Sequence, residues 1–145
     1  MELIDILNEI VKSFNKEYSV VEGEEYSATL STYVITYTLD TFLSDFYFIQ
    51  EMYRRGGIEM PFLNPMTCSL LHEIGHLETE ELMVDDTQLR NEYENSNDGA
   101  QESFERYCEL YNEQIATQWA IFYILDNKEQ VKEWDKRLRL SLPRE

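Results

Sequence analysis

Two cysteines, Cys68 and Cys108, in 145 residues are too few for a disulfide framework. Basic side chains are scarce as well. Twelve lysines and arginines face 29 aspartates and glutamates, and the formal net charge of −17 repels phosphate backbones and anionic membranes. Direct nucleic-acid binding is not expected of such a chain. No apolar run approaches the ~20 residues that a membrane helix needs; Ile115 to Leu125 comes nearest, and Thr117 and Gln118 interrupt it. The first residues, Met1-Glu2-Leu3-Ile4-Asp5, carry acids where a signal peptide carries basic residues, so the expected compartment is the cytoplasm.

What is present is enough for a core. Hydrophobic residues make up 43% of the chain and aromatics 13%, too rich for a disordered segment. The length fits one domain, residues 1–145. The acidity suits a soluble enzyme, and equally a protein that covers the basic surface of a partner.

Leu3, Ile4, Ile6, Leu7, Ile10, Val11 and Phe14 recur at helical spacing, which predicts an amphipathic helix over residues 2–16. Strand signals follow from Tyr18 to Val21 and from Tyr26 to Leu39. In the second run Tyr33, Ile35, Tyr37 and Leu39 alternate with Val34, Thr36 and Thr38, the period of a sheet with one buried face. Asp40 or Thr41 is placed to cap a helix through Phe42, Phe46, Ile49 and Tyr53, which Gly56-Gly57 would stop. Asn64-Pro65 marks another helix start and predicts a helix from Pro65 to Leu82. Residues 84–99 are polar and weakly periodic and end in the turn signal Asn95-Ser96-Asn97-Asp98-Gly99. A long helix from Ala100 to Leu125 and a charged one from Lys128 to Leu140 complete the chain. The expected fold class is α+β: a mostly helical single domain with a small antiparallel sheet.

Residues 72–76 read His-Glu-Ile-Gly-His. On a helix, positions i and i+4 lie on one face, so both imidazoles can converge on one metal ion. Neutral imidazole is a preferred zinc ligand, and a Glu beside the first His can reach water at the metal. The pattern is short, but these are the only two histidines of the chain. Two histidines placed at random fall four apart in about 1% of cases, so chance is a poor account of the motif. His72 and His76 are therefore read as zinc ligands and Glu73 as the general base.

A catalytic zinc takes three protein ligands and keeps one position open. No third histidine exists. Cys68 and Glu80 lie in line with the pair on the same helix, and three ligands along one straight helix span too far for a single ion. The third must come from elsewhere, and a carboxylate is the natural type. Glu102, Glu105, Glu109 and Glu113 share one stripe of the long helix. Glu113 stands out because the apolar run Ile115, Ala116, Trp119, Ala120, Phe122 and Tyr123 follows it, and an acid entering a core needs a partner. Glu109, one turn earlier, is the alternative. Ala116 and Ala120, with Gly75 opposite, would let the two helices pack closely. Tyr111 and Tyr123 lie near this region as candidates to assist an oxyanion, and Cys68 and Cys108 read as small packing residues.

Ser69-Leu70-Leu71-His72-Glu73-Ile74-Gly75-His76, followed by Glu113-Gln114-Ile115-Ala116-Thr117-Gln118-Trp119-Ala120, resembles the ImmA/IrrE family of small gluzincin-type metallopeptidases. The resemblance runs from the motif helix to the long helix. It implies a zincin-type active-site helix, His72, His76 and Glu113 as ligands, Glu73 as base, and protein substrates inside the cell, often regulators carried by phages and mobile elements. The segment after His76, Leu-Glu-Thr-Glu-Glu, departs from the family's apolar-to-His run. The expected function is a zinc metalloendopeptidase in which Glu73 activates the attacking water. The rival is an acidic, peptidase-derived interaction module, without turnover, that blocks a partner's basic surface.

Overall fold

A computed structural model of the chain describes residues 2–39, 50–57, 63–94 and 110–142. Helix α1 spans Leu3–Phe14 and buries Ile6, Leu7, Ile10 and Val11, the apolar stripe expected of it. Three short strands follow: β1 (Ser19–Glu22), β2 (Ser27–Thr29) and β3 (Val34–Tyr37). The α+β class holds, but the sheet is mixed rather than antiparallel. Its order is β1-β3-β2, with β3 antiparallel to β2 and parallel to β1. A period of two reports which face is buried; it says nothing about strand direction. The long β-rich run is broken by a turn over residues 30–33, and Tyr33 leaves it at φ 56°, a left-handed conformation. Ile35 and Tyr37 are buried, as their alternation requires, whereas Leu39 is exposed.

Residues 50–55 are helical and end at Gly56-Gly57, where Gly57 takes φ +85°. Phe42, Phe46 and Ile49, expected on that helix, lie outside the described residues. Helix α2 spans Pro65–Glu78 with Asn64 as its cap, the Asn64 side chain accepting from the Met66 N–H at 2.8 Å. It stops one turn short of Leu82. Thr79 turns its hydroxyl back onto the Gly75 carbonyl at 2.6 Å, and a 3-10 turn over Glu80–Leu82 follows. Helix α3 (Thr87–Glu94) forms within the polar, weakly periodic stretch, and the turn expected at Asn95–Gly99 lies outside the described residues.

Helix α4 spans Tyr111–Asp126 and α5 spans Lys128–Ser141. The helix expected from Ala100 begins at Tyr111: Leu110 is extended (φ −62°, ψ 128°), so Glu113 sits in the first turn of its helix. Glu102, Glu105, Glu109 and Cys108 lie outside the described residues. Helix α2 is the axis of the domain, packed against α4, β2, β3 and α5 and buried on every side from Met66 to Gly75. Its start is tied to α5 by the buried Asp135, which accepts from the Asn64 N–H (2.7 Å) and the Thr67 hydroxyl (2.6 Å). No helix among the described residues is long and apolar enough to cross a membrane.

Candidate metal centre

The close approach of α2 and α4 builds the site. Ala116 and Ala120 are fully buried, and a Cβ added to Gly75 would come within 2.5 Å of the Ala116 carbonyl oxygen. Only glycine lets the two backbones meet at this point. The contact lies one residue before His76 and one turn after Glu113, so it brings the first turn of α4 level with the histidines.

There Glu113 meets both imidazoles. Its Oε2 is 2.7 Å from His72 Nε2 and 3.1 Å from His76 Nε2. One ligand atom from each of His72, His76 and Glu113 lies within 4.8 Å of the others, and the two rings stand perpendicular with centroids 4.9 Å apart. Donor atoms around one first-row cation at 2.0–2.2 Å stand about 3–3.5 Å apart, so a small shift of this buried trio is enough to hold an ion. The group can hold a metal. Cys68 and Glu80 do not belong to it: Cys68 is buried at the start of α2, where burial pushes its thiol far above the usual range, and Glu80 is exposed.

The charges fit a cation. Three acids, Glu73, Asp86 and Glu113, line the cleft with one guanidinium, Arg90, which pairs with Asp86 and Glu113. With neutral imidazoles the cluster keeps an excess of negative charge that a divalent ion would offset. The titration behaviour of the metal-free group reflects that excess. Burial opposes a proton on His72, yet the hydrogen bond and charge of Glu113 hold its pKa above the ordinary value. Burial likewise opposes ionisation of Glu113, but His72 and His76 keep its carboxyl well below the carboxylate range. Glu73 is only 6% exposed, and burial raises its pKa against the pull of both histidines.

Partners behind the trio orient it. The Thr117 hydroxyl is 3.0 Å from His72 Nδ1; with an ion held at Nε2, Nδ1 would carry the ring proton and the hydroxyl would accept from it. Arg90 donates through Nη2 to Glu113 Oε1 at 2.8 Å and pairs through Nε with Asp86 Oδ1 at 2.9 Å. Thr117 interrupts an apolar run in the sequence, and it follows Glu113 by four residues on the same helix face. Arg90 belongs to no motif. Its signal was isolation: it is the only lysine or arginine between Arg55 and Arg106.

Glu73, His76 and Glu113 open onto a cleft of about 460 Å³, walled on one side by Tyr26, Ser27 and Ala28 and on the other by Asp86, Arg90 and Asn112. Neither tyrosine singled out from the sequence lines it. Tyr111 is exposed, and Tyr123 stacks on Trp119 (5.3 Å) and Trp134 (6.0 Å) beside Phe14. Tyr26 is the aromatic at the cleft, and its place in the β-rich run disguised it. No family model matches the chain, and neither a curated protein nor a solved structure matches it.

Proposed function

We propose that the chain is a zinc-dependent metallopeptidase, with His72, His76 and Glu113 as ligands and Glu73 as general base. The observation that carries the reading is a buried carboxylate beside two imidazoles on a helix whose intervening Glu73 faces the same cleft. Two nitrogens and one oxygen suit zinc, and such a set leaves a position open. Zinc held there would supply Lewis acidity, lowering the pKa of water to about 7 and polarising a peptide carbonyl.

Glu73 takes the proton of the attacking water and passes it to the leaving amine, a role that suits a carboxylate whose burial has raised its proton affinity. Thr117 keeps His72 in a ligating tautomer. The substrate is an extended segment of a protein: β2 is an outer strand of the sheet, and Ser27 and Ala28 line the cleft, so a peptide can lie along it.

A second reading rests on the net charge of −17, which favours an acidic module that covers a basic partner without cleaving it. Glu73→Gln separates the two. The substitution keeps shape and metal, and peptide-bond cleavage across a set of denatured proteins, read by labelling of new N-termini, is expected to fall by at least ~100-fold. Cleavage by the wild type that survives in the variant contradicts the base assignment. A biological effect that survives without cleavage favours the module.

A further inference from the structure

Resting on the metal reading above, we infer that Arg90 is a positioning residue: it holds Glu113 Oε1 away from the metal, so that Glu113 offers Oε2 alone. A carboxylate ligates through one oxygen or through both, and the choice follows from what else its second oxygen bonds. Here the two oxygens are divided. Oε2 faces both imidazoles, and Oε1 receives the Arg90 Nη2–H at 2.8 Å. The carboxylate is nearly enclosed, with a side-chain exposure of 5%, so it has little room to exchange these roles.

Arg90 is itself held in place. Its Nε pairs with Asp86 Oδ1 at 2.9 Å, and Asp86 immediately precedes α3. The described side chains of helix α3 are otherwise little buried. Thr87, Gln88, Leu89, Asn91 and Glu92 are all exposed, and Arg90 is the one partly buried side chain from 87 to 92. A second tie secures the approach to the helix: Asn112 accepts from the Val84 N–H at 2.9 Å and donates to the Val84 carbonyl at 2.7 Å. Asn112 and Glu113 are consecutive, so the segment leading into α3 and α3 itself are fastened to adjacent residues of α4. This helix presents an arginine to the ligand carboxylate. Without that arginine Oε1 can turn toward the ion as a further donor and close the position that catalysis needs open.

Coordination number is visible when cobalt replaces zinc, because four-coordinate cobalt absorbs visible light several-fold more strongly than five- or six-coordinate cobalt. The full chain is stripped of metal, loaded with one equivalent of cobalt, and compared with Arg90→Ala and Arg90→Lys, with circular dichroism as the folding control. The wild type is expected to show intense bands. Arg90→Ala should retain cobalt with bands several-fold weaker, and Arg90→Lys, which restores a donor, should recover part of the intensity. Should Arg90→Ala not fold, Arg90→Met, which keeps the aliphatic stem without a donor, is read in its place. A variant lacking the donor whose spectrum matches the wild type overturns the role of Arg90 and leaves the metal site standing. A wild type that takes up no cobalt contradicts the metal reading itself.

Discussion

The two helices that carry Glu73 and Arg90 to the cleft are held by different physics. On one side, α2 is buried from Met66 to Gly75 and its position is set by packing. On the other, α3 exposes nearly every described side chain and is held by hydrogen bonds and ion pairs through Arg90 and, just before it, Val84. Close-packed interiors are stiff, whereas segments with few buried apolar contacts open at low free energy. The histidines and Glu73 therefore sit on a rigid support, while α3, at the edge of the cleft, opens at lower free energy.

The largest expected effect breaks the rigid side. Gly75→Ala drives a methyl group into the Ala116 backbone, which cannot retreat as a side-chain end would. Overpacking of this kind costs about 3 kcal/mol, to be read from the midpoint of urea unfolding, and metal uptake should fall with it because the two helices part. Asp135→Ala comes next. It removes the acceptor shared by the Asn64 N–H and the buried Thr67 hydroxyl, and a loss of about 2 kcal/mol in the same measurement is expected, with metal affinity little changed.

Glu73→Gln should act in the opposite direction on the metal-free protein. The folded-state pKa of Glu73 is raised, so its contribution to stability is fully present below the ordinary carboxylate value, about 4.3, and is lost as pH rises through the folded value. At pH 7, above the ordinary carboxylate value, the wild type therefore carries an electrostatic cost that glutamine lacks. The variant should melt about 2–4 °C higher at pH 7, the shift that 1 kcal/mol makes in a domain of this size, and the gap should close near pH 4. The smallest effect concerns the loose wall. Asn112→Ala removes both bonds to Val84, and it should speed amide exchange over residues 84–92 severalfold while the global free energy of unfolding changes by less than about 1 kcal/mol.

The same contrast decides what could be read from the residues alone. The stripe of α1, the Asn64-Pro65 start of α2 and the small residues between α2 and α4 are local patterns with one packing solution, and the fold realises them. Glu113 could be separated from Glu102 and Glu105 because burial follows it directly in sequence. Helix α3 has no apolar period to announce it, since its place depends on one arginine meeting a carboxylate 23 residues away. The start of α4 at Tyr111 was equally hidden: the acidic residues before and after Leu110 keep helical spacing in the sequence. Strand direction was illegible for a related reason, because the parallel partnership of β1 with β3 is a tertiary choice that alternation does not encode.

The central claim is that His72, His76 and Glu113 form one zinc site that Glu73 serves without ligating it, and metal content tests it most directly. Wild type, Glu113→Ala and Glu73→Gln are produced under zinc-replete conditions, passed over a desalting column, and measured by elemental analysis against protein concentration. About one zinc per chain is expected in wild type and in Glu73→Gln, with near-complete loss in Glu113→Ala, because two histidines alone hold the ion much more weakly. Less than about 0.2 equivalents in the wild type, or the same zinc content in Glu113→Ala as in wild type, would contradict the account.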